Sequence, residues 1–363
     1  MARKIRYGII GTGMMGCEHI RNIRLLPDVE ITAIADPVET SLKWAEANLG
    51  DWRPARYRTA AELAESAEVD AVVIASPNNT HREVLEPLFG RDIAILCEKP
   101  LATTIPDAQW IVAQAAKSAA PFWTGMEYRY MPPVARFIDQ VHGGRVGRLH
   151  MLAMREHRFP FLVKVGDWNR FSRNTGGTMV EKCCHFFDLM RLITQSEAVR
   201  VYCSGAMDVN HLDERYGGET PDIIDNSYTV VDFANGVRAL LDLSMFAEGV
   251  EHQEEICATG DKARLDVIVP PGDIIFSPRV PLGAPKQVER ESVAVDETAM
   301  KAGSHHGATF HQHEAFARAV RGEGPVEVTA EDGLKAVLIG AAAELSAREH
   351  RVVEIAELIG GAG

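Results

Sequence analysis

The chain has no run of apolar residues approaching the roughly 20 that a membrane-spanning helix needs, so no membrane partner is expected. It also lacks a basic excess: 38 Lys and Arg stand against 51 Asp and Glu, a formal charge of −13. Without a basic stripe to neutralise phosphates, nucleic acid is not expected as a partner either. The six cysteines (Cys17, Cys97, Cys183, Cys184, Cys203, Cys257) include no CxxC pair. That spacing argues against a zinc site or a disulfide framework and for reduced thiols in a cytoplasmic protein. The start, MARKIRYGII, passes straight into a strand without the apolar core of a secretory leader. Internal repeats and low-complexity tracts are missing as well, which leaves an ordinary globular composition.

What is there begins at residue 5. An apolar strand, IRYGII, leads into the turn Gly11-Thr12-Gly13-Met14-Met15-Gly16, then a helix, a second strand ITAIA, and Asp36 at its end. A dinucleotide site needs these parts in this order. Gly11 permits the tight turn, Gly13 lets the backbone approach a pyrophosphate, and Gly16 lets the helix pack closely on the strand. The pyrophosphate would sit on the exposed N–H groups of the helix. Asp36, 20 residues after Gly16, can accept hydrogen bonds from both hydroxyls of an adenosine ribose and would repel a 2′-phosphate. The expected cofactor is therefore NAD rather than NADP.

Strands and helices alternate up to about residue 126: AVVIA, DIAILCEKP and PFWTGM are short, continuously apolar runs of the kind buried on both faces of a parallel sheet. The spacing predicts a doubly wound α/β domain over 1–126. Beyond it, LHMLAMREHRF, VRVYCSGAM, NSYTVVDFANGVRALLDLSMF and EEICATGDKARLDVIV are longer and mostly hairpin-like, and Asn235-Gly236 and Gly260-Asp261 punctuate pairs of strands. Residues 127–363 therefore read as an α+β domain with a large, mainly antiparallel sheet. Its helices are expected at about 129–142, 178–194, 308–321 and 331–348, with a long irregular excursion over about 270–307.

Three clusters could carry chemistry. Ser76, Pro77 and Asn78 lie at the carboxyl end of AVVIA, where open α/β sheets place ligands. Asn78 could hold the cofactor, or the segment could be a Pro-Asn turn capping the next helix. His81 opens that helix and joins the candidate cofactor contacts, though it reads as a surface or cap residue rather than a catalyst. Glu98 and Lys99 follow the next strand. A lysine there suits a cation that polarises a substrate oxygen, with a pKa lowered by desolvation; Glu98 could pair with it or reach a ribose, and a solvated ion pair is the plainer alternative. In the third cluster, GGTMVEKCCHFFDL, Glu181 and His185 are four apart and would share a helix face, the carboxylate supporting an imidazole able to act as general base. A surface pair is the alternative. A metal set drawing on Cys184 or Asp188 is not favoured, because no closed set of ligand spacings occurs. Cys183 and Cys184 read as packing residues. The stretch His305, His306, His311, His313 matches no metal spacing and reads as an active-site loop or a solvated helix cap.

Taken together, GIIGTGMMG, ASPNNTH, CEKPLA, GMEYRYMPP and GGTMVEKCCHFFDL resemble the glucose–fructose oxidoreductase / inositol dehydrogenase / rhizopine-catabolism (Gfo/Idh/MocA) family over nearly the whole chain. The resemblance implies an N-terminal Rossmann domain and a C-terminal α/β domain whose sheet makes dimers or tetramers. It further implies Lys99 as the active-site lysine and His185 as the acid/base, acting on a polyhydroxylated sugar or cyclitol. Glu181 stands where the family usually has aspartate, which puts the substrate in question. Tyr128 and Arg129 resemble a substrate-facing segment, and Trp168 is a further pocket candidate. An NAD-dependent glycosidase working by oxidation, elimination and reduction fits the same resemblance, and a non-catalytic NAD-binding regulator fits it less well.

Overall fold

Continuous apolar runs dictate the first sheet. Strands β1 (Ile5–Ile10), β2 (Val29–Ala35), β3 (Ala55–Tyr57), β4 (Ala71–Ile74), β5 (Ala94–Glu98) and β6 (Phe122–Gly125) pair in the order β3-β2-β1-β4-β5-β6, all parallel. The protein is described by a computed structural model covering residues 4–303 and 305–360. All four residues of β4 are buried, as helices on both faces require. The crossover helices carry local start signals. Thr59 and Glu62 form a capping box ahead of Ala60–Ser66, and Thr104 accepts the Asp107 N–H with a proline in the first turn of Ile105–Ala115. Strand order reverses at β1, so its carboxyl end and that of β4 open a crevice in which such sheets bind ligands.

The second sheet has nine strands: β7 (Leu149–His157), β8 (Ala198–Ala206), β9 (Asn226–Phe233), β10 (Arg238–Ser244), β11 (Glu254–Gly260), β12 (Ala263–Val269), β13 (Asp273–Pro278), β14 (Glu289–Ser292) and β15 (Val353–Glu354). Their order is β14-β13-β12-β11-β7-β10-β9-β8-β15, antiparallel except for the β7–β10 pair. Gly236, at φ +86°, makes the β9–β10 hairpin that the Asn-Gly signal predicts. Period-two burial along β9 and β12 turns one face inward. That face packs on the helices Cys184–Thr194 and Ala330–Glu349, and the latter also reaches Ile105–Ala115 beside the first sheet.

Three expectations are corrected. The segment 270–307 is not one irregular excursion: it holds β13, β14 and the helix Glu297–Ala302, capped by Asp296. Prolines and glycines between such short elements hid them. The helix expected at 129–142 begins instead as a 3-10 turn, Glu127–Tyr130, and becomes α-helical only at Pro132–His142, where Pro132 suits a first helical position. The helix expected at 178–194 is two, Thr178–Glu181 and Cys184–Thr194, interrupted at Lys182 and Cys183.

Candidate active site

The glycine turn is built as its spacing requires. Gly11 sits at φ +86°, with backbone atoms of Ala75 and Ser76 where a Cβ would go; a Cβ on Gly16 would collide with the Gly11 carbonyl oxygen. Gly13 faces open space, with nothing within 4 Å of its would-be Cβ. That openness belongs to a cavity of about 990 Å³. The cavity runs from Gly11, Gly13, Met14, Met15 and Asp36 past Ser76, Pro77 and Asn78 to Glu98, Lys99, Trp168 and Glu181, thus reaching both sheets' segments. Thr12 and Gly16 are packed behind it. Asp36 Oδ2 accepts the Thr12 N–H (2.7 Å), and Oδ1 accepts the Val38 N–H (2.8 Å), so the carboxylate that lines the cavity also braces the turn.

A dinucleotide fits these residues on two observations: the open cradle over Gly13, and the Asn78 side-chain amide nitrogen, which is buried at the cavity wall and has no hydrogen-bond partner among the described residues. His81 is not a surface cap. Its ring is fully buried, with Nδ1 facing the Pro100 and Leu101 carbonyls and Nε2 the Ser76 carbonyl. It therefore ties the β4 turn to the segment after Lys99 rather than touching the cavity.

Glu98 does not form the solvated pair with Lys99. Its Oε1 meets His19 Nε2 at 2.9 Å, His19 Nδ1 meets His313 Nε2 at 2.8 Å, and Glu98 Oε2 accepts the Lys99 backbone N–H. All three side chains are buried. The expectation for the Lys99 pKa is reversed. Desolvation works to lower it, but the Cys184 sulfur and the carboxyls of Glu127, Glu98 and Glu181 outweigh burial and hold it above the ordinary lysine value.

The interrupted helix separates Glu181 from His185. Glu181 Oε1 accepts from Lys164 Nζ (3.1 Å), and Oε2 is buried without a partner among the described residues. Lys164 in turn lies over the Trp168 ring, 4.4 Å from its centroid. His185 does not line the main cavity; it stacks on Tyr128 (centroids 4.0 Å, 9° between planes), with Nε2 3.5 Å from Glu127 Oε1. The expected Glu181 support is replaced by Glu127, since Glu181 pairs with Lys164 while His185 Nε2 faces Glu127. Burial foremost, then the charges of Lys99, Lys182, His305 and Arg158, push the His185 pKa far below its usual value. Burial and the Glu98 carboxylate push Glu127 up to about 7.

Of the substrate-facing candidates, Tyr128 lies beside His185 and its hydroxyl accepts from Lys182 Nζ at 2.6 Å, whereas Arg129 turns away to a bidentate pair with Asp188 (Nε to Oδ2, 2.6 Å) and the Glu327 carbonyl. That pairing also removes Asp188 from any ligand set. No cluster of three or more potential metal-ligating side chains occurs among the described residues. Cys183 and Cys184 are fully buried, with thiol pKa values raised by burial, as packing residues should be. The histidine stretch is no solvated cap: His313 is buried on His19, and His305 Nδ1 meets Glu18 Oε1 at 2.7 Å.

Glu18, His19, Glu127 and Lys164 carried no recognised sequence signal. Glu127 lies inside the segment GMEYRYMPP, and a carboxylate two residues after the end of β6 was the available signal.

Comparison with known proteins covers nearly the whole chain. A family profile described as "Oxidoreductase family, NAD-binding Rossmann fold" matches residues 5–126, and its companion, "Oxidoreductase family, C-terminal alpha/beta domain", matches residues 138–355. The myo-inositol 2-dehydrogenase of Thermotoga maritima is 28% identical over 98% of this chain and 100% of its own length. The rhizopine catabolism protein MocA of Rhizobium meliloti is 27% identical over 97% and 98%. The crystal structure of scyllo-inositol dehydrogenase from Lactobacillus casei, with bound NAD(H) and scyllo-inositol, aligns at a TM-score of 0.78 and 21% identity, over 98% of this chain and 100% of that one, a likeness of fold. Among the described residues, no helix is long and apolar enough to cross a membrane.

Proposed function

The chain belongs to the Gfo/Idh/MocA oxidoreductase family, and from that premise we propose that it is an NAD-dependent dehydrogenase of a secondary alcohol on an inositol-like cyclitol or sugar. The observation that carries the reading is the single cavity joining the glycine turn and Asp36 to Lys99, Trp168 and Glu181. Relatives named for myo-inositol and rhizopine support the substrate class.

Gly11, Gly13, Met14, Met15, Asp36, Ser76, Pro77 and Asn78 would hold the dinucleotide, with Asp36 selecting NAD over NADP. When bound, the nicotinamide supplies hydride exchange with a carbinol carbon. Lys99, held as an ammonium by its acidic neighbours, polarises the reacting oxygen and stabilises alkoxide character there. His185, held neutral by burial and by cations, is ready to accept the hydroxyl proton. Glu181, Lys164 and Trp168 wall the seat and can bind further hydroxyls.

The test is formation of reduced nicotinamide from NAD over a panel of inositols and hexoses. Lys99→Ala is expected to lower turnover by about 10²–10³ while leaving NAD binding intact. Full turnover in both Lys99→Ala and His185→Ala would overturn the reading.

A further inference from the structure

Behind His185 lies a buried chain of titratable groups that the proposed reaction does not use. Glu127 is 1% exposed, and neither carboxyl oxygen makes a hydrogen bond among the described residues. Its Oε1 lies 3.5 Å from His185 Nε2 and 3.9 Å from His305 Nε2. On the far side of His305, Nδ1 meets Glu18 Oε1 at 2.7 Å, and Thr309 Oγ1 donates to the same oxygen at 3.0 Å. The His305 side chain is 22% exposed, so the chain opens to solvent there. The opposite nitrogen of His185, Nδ1, is buried without a partner among the described residues. Thus each imidazole has one nitrogen turned toward Glu127 and the other left for the next group along.

We infer that Glu127 is a positioning residue that passes the substrate proton from His185 to His305, and so to solvent. The inference rests on the dehydrogenase reading above. The hydroxyl O–H bond breaks as His185 Nδ1–H forms, and Nε2–H breaks as Glu127 Oε1–H forms. Glu127 Oε1–H then breaks as Nε2–H forms on a neutral His305, and the imidazolium gives up its Nδ1 proton to Glu18 Oε1, already in contact there, before the proton leaves to solvent and the rings regain their starting tautomers. Separations of 3.5 and 3.9 Å shorten when a catalytic complex assembles. The His185 pKa is depressed, and that of Glu127 is raised by burial and by Glu98. For His305, burial opposes the proton, but Glu18 and Glu127 hold it above the ordinary histidine value. The charges facing Glu127 are Glu98, His305, Lys99 and His185, so its state is set from every element packed around it.

Glu127→Gln keeps the shape and removes the relay. It is expected to lower kcat about tenfold or more near neutral pH, with NAD binding unchanged, and added imidazole buffer should restore part of the loss. His305→Gln should give the same defect, with the double variant no worse than either single one. Unchanged kcat, or a loss that buffer does not relieve, would overturn the relay. A second readout needs no turnover: NMR titration of the His305 ring should show its pKa falling in Glu127→Gln, and an unmoved titration would contradict the coupling. Absence of wild-type turnover over the whole panel would sink the dehydrogenase reading instead, leaving that titration to decide on the relay.

Discussion

Gly177 shows how much a single residue carries. It adopts φ +90°, and a Cβ there would run into the carboxyl of Glu344, whose Oε1 accepts the Met179 N–H at 2.9 Å. Gly177→Ala forces an alanine into a positive-φ extended conformation (φ +90°, ψ 169°) that costs about 1–3 kcal/mol on top of that collision, so urea unfolding should show a loss of at least that size. A stability equal to wild type would mean the turn is not constrained as described. Individual residues were unevenly legible in the sequence. The tight turn at Gly11 and the close packing at Gly16 are legible because a turn, a strand and a helix in sequence fix their surroundings. Glu127 and His185 were not paired, because their meeting depends on how a strand end from the first sheet faces a helix of the second part of the chain. His19, His305 and His313 were obscure for the same reason: each partner lies far away in sequence.

At the scale of elements, the interruption at Lys182 and Cys183 decides the site. Cys183 N–H reaches back to the Thr178 carbonyl, and Phe187 N–H bonds Cys183 as the next helix starts. Lys182 is pulled inward, 3.0 Å from Glu156 Oε1 and 2.6 Å from the Tyr128 hydroxyl. Helical periodicity over 178–194 gave no sign of this, since most residues there are apolar and suit a buried helix; Lys182 among apolar neighbours was the hint of a local conflict. Removing Lys182 would leave the Glu156 carboxylate buried beside Glu254, with Arg158 3.2 Å away as its remaining ion-pair partner among the described residues. Lys182→Ala is therefore expected to cost about 3–5 kcal/mol in chemical denaturation. The pair Lys182→Met with Glu156→Gln should recover much of that loss, and an Ala variant as stable as wild type would show the pair to be unimportant.

Across the whole molecule, the doubly wound sheet and the mainly antiparallel second sheet were both legible, the first from continuous apolar strands and the second from long strand-like segments and hairpin signals. Its nine-strand order was not, because the parallel β7–β10 pairing joins segments far apart in sequence. The outer face of that sheet presents Met151, Tyr202, Tyr228 and Val230, all more than a third exposed and in register on one side. We propose, as the family resemblance implies, that this face joins two copies of the chain, its exposed apolar side chains standing among the ion pairs Arg155–Asp242 and Arg200–Asp232. Light scattering should report a dimer or tetramer, and Tyr228→Arg should shift it toward monomer; a monomeric wild type would refute the proposal. The central claim is direct hydride exchange between a polyol and NAD in the cavity shared by the glycine turn and Lys99. Its most direct measurement uses an inositol or hexose carrying deuterium on its ring carbons and follows the label by mass spectrometry. The account predicts deuterium in the released reduced nicotinamide, in step with ketone formed; label returned to the sugar with cleavage of a glycosidic bond, or no transfer at all, would contradict it.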